Sequence, residues 1–131
     1  MESPPIQSGK AMLWTGRVLT VLPALLLLFS ATMKFLMPPG AAEGFEQLGW
    51  PERYAVALGI VELACTVIYL VPQTAVLGAI LLTGYLGGAT ATHARLGEAF
   101  FMPIIVGVVL WLGLFFRDAR LRALVPFRRP I

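Results

Sequence analysis

The sequence predicts an all-α membrane protein: a bundle of four transmembrane helices with both termini on the cytoplasmic side. Three observations carry this. Of 131 residues, 58% are hydrophobic and only 13% charged, with a mean hydropathy of +0.81, whereas a soluble domain carries roughly a quarter charged residues. A chain this short has too much surface for an oversized core to absorb the difference. The apolar residues fall into four stretches, each close to the roughly 20 residues a helix needs to cross a hydrocarbon core of about 30 Å. The charges gather between and beyond those stretches.

The first stretch runs from Trp14 to Met37, with "VLTVLPALLLLFSATM" as its uncharged heart. Pro23 inside it predicts a kink, which membrane helices tolerate. The run is long and no A-x-A-like cleavage site follows, so it reads as a retained helix and not a signal peptide. "MPPG" (Met37–Gly40) stops it. The segment "AAEGFEQLG" then predicts a short surface helix with Phe45 and Leu48 on one side. "GWPER" precedes the second stretch, Tyr54–Val71, and "VPQT" is a tight turn into the third, Thr74–Leu96. The fourth is Phe100–Phe116. Helices are preferred over strands because an open sheet in lipid leaves backbone groups unpaired. The domain organisation is thus a leader (1–13), a four-helix membrane domain (14–116) and a basic tail (117–131).

Orientation follows from lysine and arginine in short flanks. The leader side holds Lys10 and Arg17, and the tail holds Arg117, Arg120, Arg122, Arg128 and Arg129. Glu43, Glu46 and Glu52 face only Arg53 between the first two helices. The pI near 9.5 is therefore membrane-flanking charge. No polar surface presents it as a nucleic-acid groove, and no nucleic-acid partner is expected. The partners expected are the lipid bilayer and, beyond it, another membrane subunit or a second copy of the chain. Trp14, Trp50 and Trp111 read as interface anchors or packing residues.

Three ionisable groups fall in the outer half of the bundle. Lys34 lies ~4.5 Å inside the end of the first helix and His93 at similar depth in the third, at 1.5 Å per residue. Glu62 lies ~12 Å into the second. A carboxylate there costs on the order of 2.5 kcal/mol or more if ionised and facing lipid, so it must face the interior and pair or protonate. Lys34 is its counter-ion, with Ser30 one turn away. Cys65, Thr66 and Tyr69 extend the Glu62 face, while Tyr85, Gly88 and Thr92 share a face of the third helix beside His93. Two readings stay open. Lys34, Glu62, Thr66, Tyr85, Thr92 and His93 can line a ligand site in which Glu62, His93 and Lys34 act as acid, base or head-group binders; a quinone carbonyl is compatible with them. Alternatively, Lys34 and Glu62 only hold two helices together. Arg95 and Glu98 read as a solvated loop pair. Gly84 and Gly88 form a GxxxG, a helix-packing signal within the chain or between copies.

Several chemistries have no residues to carry them. The single cysteine, Cys65, excludes an intramolecular disulfide and CxxC chemistry. One histidine gives no metal-ligand spacing and poor support for haem, and no dinucleotide or phosphate loop occurs. No resident cofactor is evident.

The chain is similar to the DoxX-like family of small four-helix membrane proteins along nearly all its length, outside Met1–Ala11. The matching pieces are "SATMKFLMPP", "LGWPERYAVALGIVELAC", "GYLGGATATHARLGEAFFMP" and "LGLFFRDARLRALVPFRR". The resemblance implies a four-helix bundle in a bacterial inner membrane. Lys34, Glu62 and His93 match the family's recurring polar positions. Relatives are named as subunits of a thiosulfate:quinone oxidoreductase, or tied to membrane redox complexes or to assembly of membrane proteins. Without a thiol pair, sulfur-transfer chemistry is not expected of this chain acting alone, and no reaction follows.

Overall fold

The computed structural model describes residues 9–128, which are helical with no strand. Most of the leader, and Arg129 of the tail, lie outside the described residues. The elements are α1 (Lys10–Leu36), α2 (Ala41–Gln47), α3 (Ala55–Leu70), α4 (Ala75–Arg95), α5 (Phe101–Arg117) and α6 (Ala119–Arg122). Single 3-10 turns at Glu52–Tyr54 and Pro72–Thr74 lead into α3 and α4.

The expected borders hold closely for α3, α4 and α5. Helix α1 starts at Lys10, so Lys10–Leu13 of the expected leader is already helical. It runs through Pro23 without ending, because only the hydrogen bond to the Leu19 carbonyl is lost. The short surface helix expected after "MPPG" is α2. Gly40 and Gly49 bracket it with φ +91° and +84°, a left-handed backbone that a side chain would strain.

The four long helices form an antiparallel ring in which α1 and α4 each pack against both α3 and α5. Tyr69 near the end of α3 reaches Thr20 in the first half of α1, and Trp111 of α5 bonds Thr83 of α4. The core seam is Leu27, Tyr69, Ala79, Leu82, Leu110 and Leu114. Tyr69 is fully buried and donates its hydroxyl to the Leu110 carbonyl at 2.6 Å, which satisfies the polar tip that an apolar interior would penalise. Outward faces are apolar too: Leu22, Leu25, Phe29, Ile60, Ile80, Ile105 and Val108 are exposed. A helix bundle with an apolar exterior is built for lipid.

Among the described residues, three helical segments are long and apolar enough to cross a membrane: Lys10–Leu36, Glu52–Leu70 and Pro72–Arg95. The fourth, Phe101–Arg117, is apolar but has only 17 residues. Its length is set by the Gly97 turn before it (φ +71°) and by Asp118 after it, whose carboxylate accepts from the Arg120 and Leu121 backbone to start α6.

Close helix contact does not come from the GxxxG. A Cβ added at Gly84 or Gly88 meets nothing within 4 Å, so these glycines make no tight packing contact within the chain. The intimate contacts are elsewhere: Gly113 lies against Thr20 and Leu19, Gly16 against Arg117 and Gly113, and Gly78 against the Tyr69 backbone. The GxxxG spacing marks a small face, but these helices cross at other registers. Accordingly, Gly84→Ala and Gly88→Ala are each expected to be tolerated and to stabilise by up to about 1 kcal/mol, the helix-propensity gain of alanine over glycine, read as thermal unfolding in detergent.

Candidate functional site

The first requirement of the site is a place for Glu62, whose side chain is 2% exposed. Gly59, one turn before it on α3, lets α1 come close: a Cβ there would meet Phe35 and the Lys34 Cβ at 3.0–3.2 Å. At that level Lys34 Nζ donates to Glu62 Oε1 at 3.0 Å and to Ser30 Oγ at 2.7 Å. Lys34 lies in the last turn of α1, where the helix carbonyls favour a cation. Its remaining hydrogen reaches the Ser30 carbonyl at 3.5 Å, the outer limit of a hydrogen bond. Among its three donors, that is the one a better acceptor would capture. Tyr85 of α4 brings its hydroxyl beside the Glu62 carboxylate. The result is a polar line, Ser30–Lys34–Glu62–Tyr85, crossing three helices.

This line opens onto a cavity of about 610 Å³ at the end of the bundle opposite the arginine-rich tail. Helix α1 supplies Leu26, Leu27, Ser30 and Lys34; α3 supplies Leu58 and Glu62; α5 supplies Met102, Pro103 and Val106. From α4 come Gly84, Tyr85, Leu86, Gly88, Ala89, Thr92 and His93. The remaining wall is Phe45, Leu48 and Trp50, from α2 and the turn after it. A mostly apolar cavity with a few convergent polar groups is the ordinary form of a small-molecule site.

Of the residues expected at a ligand site, Lys34, Glu62, Tyr85, Thr92 and His93 line this cavity, and so do Gly84 and Gly88. Thr66 does not. It is fully buried, and its hydroxyl donates to the Glu62 carbonyl at 2.7 Å. A helical threonine commonly satisfies itself this way, which leaves Thr66 packing behind the wall. His93 stands at the rim, 32% exposed, with Nδ1 3.1 Å from Glu98 Oε2.

The expected pairing of Arg95 with Glu98 is replaced by two other contacts. Glu98 pairs with His93, while Arg95 Nη2 donates to the Leu48 carbonyl at 3.0 Å. The Gly97 turn folds Glu98 back over the last turn of α4, and Arg95 leaves on the side of α2. Trp50 adds a longer link, Nε1 to Thr92 Oγ1 at 3.4 Å. These two bonds hold the α2 wall on α4. Arg95→Ala is expected to cost only about 1 kcal/mol while raising amide hydrogen exchange across 41–50, measured by mass spectrometry in detergent. Unchanged exchange would mean the wall is held by packing alone.

Sequence reasoning missed Gly59, Arg95 and the α5 contribution of Met102 and Pro103. Gly59 had a signal, a small residue one turn from the buried acid. Arg95 had none, because a tie to a backbone carbonyl leaves no trace in the sequence. Among the described residues, no group of three or more histidine, cysteine or acidic side chains could hold a metal ion.

The family model described as DoxX-like matches residues 18–115, three-quarters of the chain, and the chain belongs to that family. No curated protein and no solved structure matches it.

Proposed function

We propose that this DoxX-like membrane protein binds an amphiphilic small molecule with a quinone-like head in the cavity beside Lys34 and Glu62. The observation that carries this is where the ion pair sits. Taking two charges out of water is expensive, and a buried pair often stabilises no more than apolar packing would. A pair serving only to clamp α1 to α3 would be sealed between them. This one borders a cavity of about 610 Å³, with one ammonium hydrogen weakly used and a tyrosine hydroxyl beside the carboxylate.

A head carbonyl would accept from Lys34 Nζ or the Tyr85 hydroxyl. A head hydroxyl would donate to Glu62. Apolar ring faces would lie against Leu26, Leu58 and Val106. His93, held by Glu98 at the rim and more exposed than Lys34 or Glu62, would relay protons between the head and water. A redox-linked role, as a subunit or a small enzyme, fits such a head. In this reading the chain crosses a bacterial inner membrane four times, α5 spanning a locally thinned bilayer. Lys10, Arg17 and the tail arginines then hold both termini in the cytoplasm, and the cavity lies in the outer half.

Native mass spectrometry after gentle extraction tests this directly. A bound amphiphile is expected in the wild-type protein and lost in Lys34→Ala. A protein that is free of ligand, and whose melting does not change with added benzoquinone, would sink the proposal.

A further inference from the structure

A second cavity, of about 630 Å³, lies between α4 and α5, and nothing said so far uses it. Its walls include Gly87 and Thr90 of α4 and Gly107, Trp111 and Phe115 of α5, and Leu121, Val125 and Pro126 bound it at the tail end. The polar groups on these walls are already satisfied. Trp111 Nε1 donates to Thr83 Oγ1 at 2.7 Å, Thr83 donates to the Ala79 carbonyl, and Thr90 to the Leu86 carbonyl. Nothing on this surface asks for a polar occupant. From Pro103 to Phe115 the groove follows α5 for ~18 Å at 1.5 Å per residue, more than half of a hydrocarbon core of about 30 Å.

The two cavities share a wall. Leu86 and Pro103 line both, one from each helix. Around that junction α4 carries Gly84, Gly87 and Gly88, and a Cβ at any of them would meet nothing within 4 Å. The partition between head cavity and groove is therefore thin, and the three glycines beside it are exposed.

We infer that the ligand is a membrane lipid with a single long apolar tail, its head in the Lys34–Glu62 cavity and its tail laid along the α4–α5 groove, crossing the shared wall over Leu86 and Pro103. This rests on the head-binding reading above and adds the class of molecule and its route: the ligand comes from the bilayer, sideways, and not from water over α2. The exposed glycines of α4 leave room for a tail to cross on the outside of Leu86, where ordinary side chains would close the gap. A tail dissolved in lipid gains little by burial alone, so its contribution is close packing against the groove walls.

Gly87→Trp fills the groove without touching the head cavity, since Gly87 lines only the former and has open space around it. Binding is compared for two probes in detergent, a benzoquinone with one isoprene unit and the same head with a decyl tail. The wild-type protein is expected to hold the decyl probe roughly tenfold more tightly, a gain of the size that added van der Waals contact supplies. Gly87→Trp is expected to erase that gain and leave the short probe unchanged. Equal affinities in the wild type, or a Gly87→Trp variant that keeps the decyl preference, would overturn the tail route and leave the head site standing. A wild-type protein that binds neither probe would overturn both.

Discussion

Glu62→Ala is expected to lower the unfolding free energy by about 3 kcal/mol, the low end of the cost of breaking a buried ion pair. The figure is low because Lys34, 17% exposed and near the helix end, can turn its ammonium toward water once the acid is gone. Glu62→Gln should cost less, because the amide oxygen still accepts from Lys34. Both variants should lose stabilisation by added benzoquinone. The decisive protein is the double variant Lys34→Met, Glu62→Leu. Replacing both charges with apolar groups of similar volume is often neutral or stabilising, so this protein should fold at least as well as Glu62→Ala. It should also bind no quinone. Equilibrium unfolding in mixed detergent, with and without ligand, separates the two effects. Recovered stability together with retained binding would show that the pair is glue and the cavity's polar line incidental.

Gly78→Ala is expected to be the most damaging single-methyl change in the chain, at about 3 kcal/mol or more, the upper range for overpacking. Its Cβ would run into the backbone N and Cα of Tyr69, and backbone cannot rotate aside as a side chain can. Helices α3 and α4 are joined by only the Val71–Thr74 turn, with Thr74 Oγ1 bonded to the Ile68 carbonyl at 2.8 Å. They cannot spread at that end without breaking the turn. Tyr69 would also be pulled from the Leu110 carbonyl, leaving a buried hydroxyl unpaired. Thermal unfolding of Gly78→Ala beside Gly84→Ala gives a direct comparison. Near-equal midpoints would mean that the α3–α4 seam can relax.

The helices were legible because lipid imposes a strong constraint: long apolar runs, punctuated by proline and glycine, leave little choice of structure. The Lys34–Glu62 pair was legible for the same reason. A carboxylate in hydrocarbon must find a partner, and depth along two helices narrows the choice to one lysine. Glycine roles were not legible. Gly84, Gly88, Gly78 and Gly113 look alike in sequence, and only the crossing registers show that the second two pack helices while the first two face a cavity. Thr66 and Arg95 were opaque because each ends on a backbone carbonyl, a partner that every residue offers. The α4–α5 groove was invisible, since it is a property of space between helices and not of any residue pattern.

The order of the ring has a consequence for how the chain is made. Synthesis runs from α1 to α5, so α1 emerges before α3 does. Lys34, at the far end of α1, is therefore in place before the helix carrying Glu62 leaves the ribosome. Because α3 packs directly on α1, the acid meets its partner as it arrives and need not wait in hydrocarbon for α4 or α5. A chain permuted to start at α3 would keep every contact of the finished bundle. It would insert Glu62 alone, and its yield rather than its stability would suffer.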